Sequence, residues 1–141
     1  SNGRDGDFNN DGNSKMFKMK EEEVLSLSNR AEVWLRLGAH GKAIEDADAA
    51  MASIHLLQEL DRSDQQHSNV AMAKALFRKG RALMGLGRYH EALVLLHHLQ
   101  HLSKDPHLFQ AMATCKSRLA RRGMNKRGSG PAKNLRRAGS S

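Results

Sequence analysis

A chain of 141 residues, 39% hydrophobic and only 4% aromatic with two prolines, has the size of one domain and the make-up of a Leu- and Ala-packed helical array. Its single cysteine, Cys115, excludes an internal disulfide framework and fits a reducing interior. No apolar run approaches the roughly 18 residues of a membrane span, and the N-terminal stretch lacks the apolar centre of a signal peptide. The formal charge of +8 is uneven. Arg121, Arg122, Lys126, Arg127, Lys133, Arg136 and Arg137 place most of it in residues 121–141, which hold no acidic residue. The rest of the chain is close to neutral, and a cytoplasmic protein is expected, with a nuclear one as the alternative.

Residues 1–14 are rich in Gly, Asn and Asp, with Phe8 as the one large apolar side chain. Such a stretch buries too little to offset the entropy of ordering, so it is read as a disordered polar tail. A helical domain is expected over 15–122. Its first helix runs from Lys15 to Leu37, with Val24, Leu27, Ala31, Trp34 and Leu35 on the inner stripe and Lys18, Glu22, Arg30 and Glu32 facing out. Gly38 then stands where a left-handed cap glycine ends a helix. The second helix starts near Lys42, and Ile54, Leu57 and Leu60 carry its period to about Leu60. Asp61 to Gln66 reads as a polar loop. Ser68 or Asn69 caps a third helix that reaches Leu86, ahead of Gly87. His90 to Leu102 is the fourth, with Leu93, Leu96 and Leu99 inward. Asp105-Pro106 opens the fifth, whose stripe of Leu108, Met112, Cys115 and Leu119 is suited to sealing the end of an array. The Gly-rich sequence after Arg122 leaves 123–141 as a basic disordered tail.

The two turn glycines mark a duplication. Aligning Gly38 with Gly87 sets Ala31 on Gly80, Trp34 on Leu83, His40 on Tyr89 and Ala43 on Ala92. Gly80, Gly87, Tyr89 and Ala92 give a small residue midway along a helix, a glycine at the turn, a tyrosine two later and an alanine three beyond. On these residues the chain resembles the tetratricopeptide repeat family. The resemblance implies an all-α fold of tandem antiparallel helix hairpins: repeats at about 24–56 and 70–104, and a capping helix at 106–122. It also places Trp34 in the core. The copies lie 49 residues apart, whereas the family period is about 34, so roughly 15 residues are inserted near Ile54 to Ala71.

Chemistry-bearing motifs are sparse. The glycines follow no strand and make no phosphate loop, and no Ser-His-Asp set or paired carboxylates stand out. His97, His98 and His101 lack the further ligands that a zinc site needs. Neither an enzyme nor a metal nor a cofactor is expected. Lys74 and Arg78, by contrast, lie one turn apart on a single helix, and Asn29 holds in the first repeat the position of Arg78 in the second. This trio resembles the dicarboxylate clamp of immunophilin-type co-chaperones, which grips the C-terminal Glu-Glu-Val-Asp tail of heat-shock chaperones. The resemblance implies that Lys74 and Arg78 donate charge-assisted hydrogen bonds to a carboxylate and Asn29 a neutral one. The clamp's first Lys and Asn belong to an earlier repeat that finds no match here, and Lys15, Lys18 and Lys20 do not fit its motif. With serine at position 1, this points to a longer parent chain. Two readings stand side by side: peptide capture in the groove, or a generic scaffold whose basic tail contacts nucleic acid or serves nuclear import. Neither involves a membrane.

Overall fold

The computed structural model describes the backbone of residues 2–61 and 65–140 and the side chains of 12, 14–61 and 65–123. Five helices follow one another: α1 (Asn2–Arg36), α2 (His40–Leu60), α3 (Gln65–Gly85), α4 (Tyr89–Leu99) and α5 (Pro106–Ser140), with no strand among the described residues. The fold is all-α, two tandem helix hairpins followed by a further helix, a tetratricopeptide-like helical array.

Two glycines bend the chain into hairpins. Gly38 and Gly87 both adopt φ +77°, a conformation that costs an L side chain about 1–2 kcal/mol and glycine nothing. Each closes the same pair of bonds. The Gly38 amide donates to the Leu35 carbonyl (3.1 Å) and Ala39 to Trp34 (2.8 Å), while Gly87 donates to Met84 (2.9 Å) and Arg88 to Leu83 (2.9 Å). This Schellman arrangement satisfies the last carbonyls of α1 and α3 and turns the chain back on itself.

Helix ends differ from the sequence expectation in instructive ways. α3 starts at Gln65 rather than at a Ser68 or Asn69 cap; Gln65 Nε2 donates to Asn69 Oδ1 at 3.3 Å, a one-turn pair that supports the extra turn. α4 stops at Leu99 instead of Leu102, because Leu102 N bonds Leu99 O and the last turn tightens. The backbone of α1 and α5 is helical into both segments read as tails. The side chains there, 2–11, 13 and 124–141, lie outside the described residues, and the tail expectations with them.

Packing follows the small residues. Ala31, Ala43, Ala47 and Ala92 are fully buried and let neighbouring helices approach. At Gly80 a Cβ would sit 3.0 Å from Leu96 Cδ2, so the α3–α4 spacing leaves little room for a side chain. The main core joins Leu83, Leu96, Leu99, Leu108, Met112 and Cys115 across α3, α4 and α5. Cys115 is fully buried, and its thiol is pushed up by desolvation. It is an inert core residue. A smaller cluster of Val24, Ile54 and Leu57 ties α1 to α2, with Phe17, Ala71 and Met72 around it. α1 touches α3 and α3 touches α5, whereas α2 and α4 make no contact among the described residues. α1, α3 and α5 therefore form one layer of the array, the wall considered below.

Trp34 departs from the core position implied for it. It is half-buried, with Lys42 Nζ 4.7 Å from its ring centroid and its indole Nε1 donating to Asp46 Oδ2 at 2.8 Å. Asp46 explains this, because a buried carboxylate requires donors. Arg30 supplies two more, Nε at 2.6 Å and Nη2 at 2.8 Å. These bonds, the Arg30 fork foremost, hold the Asp46 pKa below the usual carboxylate value. A depressed folded pKa means that the stabilisation is complete above the unfolded value of about 3.9 and is lost as pH falls through the folded one. Acid unfolding followed by circular dichroism should thus steepen below about pH 4, and Asp46→Asn should flatten that limb while lowering stability at neutral pH.

Candidate functional site

Three helices, α1, α3 and α5, supply the candidate wall, and register decides which side chains meet on it. Position 29 in α1 and position 78 in α3 are equivalent, each nine residues ahead of its turn glycine. Equivalent positions of stacked helices lie side by side. The Arg78 Nη1 donates to the hydroxyl of Ser28, the residue before Asn29, across the α1–α3 seam. The Arg78 side chain keeps 19% exposure, and this partial burial lowers its pKa, since desolvation disfavours the charged form. Asn29 is exposed on α1. Lys74, one turn before Arg78, is exposed and lines a cleft of about 230 Å³ with Val70, Phe77, Leu102 and Leu108. Arg78 thus sits on the α1–α3 seam against Ser28, Asn29 is exposed on α1 one residue further on, and Lys74 opens towards α4 and α5.

Sequence reasoning passed over two residues of this wall. Glu32, expected to face outward, is turned towards α3. Its Oε1 accepts from Arg81 Nη1 at 2.9 Å and lies 4.0 Å from Arg78 Nε. The Arg81 hydrogen bond is the main reason that the Glu32 carboxyl titrates below its usual range. The second oxygen, Oε2, is buried without a hydrogen-bond partner. A signal for this contact was available: Glu32 and Arg81 each stand six residues before their turn glycine, so opposite charges occupy equivalent positions of neighbouring helices. Arg81 also lines a second cleft with Phe77, Met84, Asp105 and His107, so the wall continues towards α5.

Elsewhere, an apolar cavity of about 380 Å³ lies among α1, the end of α2 and the start of α3, lined by Phe17, Val24, Leu25, Ile54, Leu57 and Ala71. It sits where the extra residues between the repeats lengthen α2 and α3. His97, His98 and His101 are exposed, and His97 Nδ1 lies 2.9 Å from Gln100 Nε2. Of the basic tail, Arg121 and Arg122 are described and exposed, and the Arg122 guanidinium lies 4.9 Å from the Tyr89 ring centroid. Lys126, Arg127, Lys133, Arg136 and Arg137 lie outside the residues whose side chains are described. No helix among the described residues is long and apolar enough to cross a membrane.

One curated relative is similar. The chain is 34% identical over 76 residues to Hsp70-Hsp90 organizing protein 3 of Arabidopsis thaliana. That stretch spans 53% of this chain and 12% of the relative, a small part of a much longer protein. No protein-family model and no solved structure matches the chain.

Proposed function

We propose that this chain is a non-enzymatic protein-interaction module that captures an acidic C-terminal peptide by its terminal carboxylate, on the wall formed by α1 and α3. The observation that carries the proposal is the position of Arg78. Its guanidinium is half-buried at the seam against Ser28, the residue before Asn29, and one turn from an exposed lysine on the same helix. Partial burial strengthens a charge-assisted hydrogen bond relative to one in open water, and the guanidinium fork matches a carboxylate. Asn29 adds a neutral donor at the edge of the site. The relative's name, an Hsp70-Hsp90 organizing protein, supports heat-shock chaperones as the partner class. The ligand is accordingly the C-terminal tail of a heat-shock chaperone, and the chain acts as a co-chaperone segment in the cytoplasm.

The test is a calorimetric titration with a peptide ending Glu-Glu-Val-Asp, repeated with the same peptide amidated at its C-terminus. Amidation removes the charge that Arg78 and Lys74 are proposed to grip, and should cost about 1.5–3 kcal/mol, the scale of a charged hydrogen bond. Equal binding of the two peptides, or no binding of either at millimolar concentration, overturns the proposal. A generic scaffold reading would then take its place.

A further inference from the structure

Three charges meet at the α1–α3 seam with one carboxylate between two guanidiniums. Glu32 Oε1 lies 2.9 Å from Arg81 Nη1 but 4.0 Å from Arg78 Nε, beyond hydrogen-bonding range. Arg78 makes its close contact with a neutral group, the Ser28 hydroxyl. A guanidinium carries five N–H donors, so one hydroxyl leaves Arg78 with unused donor capacity, while the second oxygen of the neighbouring Glu32, Oε2, is buried and unpartnered. Two acceptors can therefore claim Arg78: Glu32 from inside the protein, and a ligand carboxylate from the groove. What holds Glu32 back is Arg81, at the equivalent position one repeat on.

We propose that Glu32 and Arg81 form a built-in charge switch that sets how much of Arg78 a ligand carboxylate can take. This rests on the reading that the α1–α3 wall captures a carboxylate. Glu32 is an internal competitor for Arg78, and Arg81 is a positioning residue that draws the competitor aside. Removing Glu32 frees Arg78 for the ligand. Removing Arg81 hands Glu32 to Arg78 and closes the site from within. The switch selects for ligands whose anionic group can outcompete a resident carboxylate, and it penalises weak anions and neutral peptide ends.

Simple summation of charges gives the same signs for the two single substitutions, so the deciding measurement is a double-mutant cycle. The free-acid and amidated peptides ending Glu-Glu-Val-Asp are titrated into wild-type protein, Glu32→Gln, Arg81→Gln and the double variant. Glu32→Ala is run in parallel, and thermal melts confirm that each variant folds. Glu32→Gln should tighten the free-acid peptide about threefold to tenfold, and Arg81→Gln should weaken it by a similar factor. Arg81→Gln should then have little effect once Glu32 is neutral, and the amidated peptide should barely respond to any of them. Additive effects in the cycle mean that Arg81 acts by its own charge, and overturn the switch. So does free-acid binding that both Glu32 variants leave unchanged, and in that case carboxylate capture itself still stands. If neither the wild type nor any variant discriminates between free acid and amide, carboxylate capture fails and the switch fails with it.

Discussion

Leu96→Ala should destabilise the protein by about 2–5 kcal/mol, the cost of emptying a large buried aliphatic site. Leu96 is fully buried, and it is the side chain on which α3, α4 and α5 converge. Its Cδ2 is the atom that a Cβ at Gly80 would meet, so the leucine fills the gap that the glycine leaves open. Truncation removes transfer free energy and leaves a void that three helices cannot easily close. A domain of this size commonly has about 5–15 kcal/mol to lose, so a large share would go at once. Val94, two residues away on α4 and 59% exposed, is the control: Val94→Ala should change stability by less than about 0.5 kcal/mol. Urea denaturation of both variants measures the difference. A loss below about 1 kcal/mol for Leu96→Ala would mean that α4 is not seated between α3 and α5.

Arg78→Ala should weaken the free-acid peptide by about 1.5–3 kcal/mol while leaving the helical signal intact. The fold tolerates the change because Glu32 keeps its hydrogen bond to Arg81, so no buried charge is stranded. Ser28 loses a donor but retains its own hydroxyl proton to offer elsewhere. Arg78→Lys separates charge from shape: a lysine keeps the charge and loses the planar fork, so it should recover part of the loss and not all of it. Affinity unchanged in Arg78→Ala would remove Arg78 from the binding site, whatever its position.

Much of the architecture was legible because each feature has a local cause. The turns rest on two glycines at positive φ, the hairpin spacing on Gly80, Ala31, Ala43 and Ala92, and the last core layer on the stripe Leu108, Met112 and Cys115. Helix ends were less so. Gln65–Asn69 adds a turn to α3 that no cap residue announces. Trp34 went astray for a different reason: the family resemblance implied a core position, but the buried Asp46 required donors and holds the indole N–H of a half-buried ring. The candidate site divides in the same way. The repeat spacing locates Asn29 and Arg78 at equivalent positions and Lys74 one turn away, and their role as ligand donors is what the resemblance implies and the peptide titration tests. The contact of Glu32 with Arg81 depends on two helices lying side by side, which helical periodicity along one helix does not reveal.

The measurement that bears most directly on carboxylate capture at the α1–α3 seam is an amide chemical-shift map of the isotopically labelled chain, titrated with the free-acid peptide at moderate salt. Saturating shifts should gather on α1 around residues 28–32 and on α3 around residues 74–81, and should largely vanish with the amidated peptide. Shifts confined to residues 121–141 that fade as salt is raised would contradict the account, because they would place binding on the basic tail through charge alone.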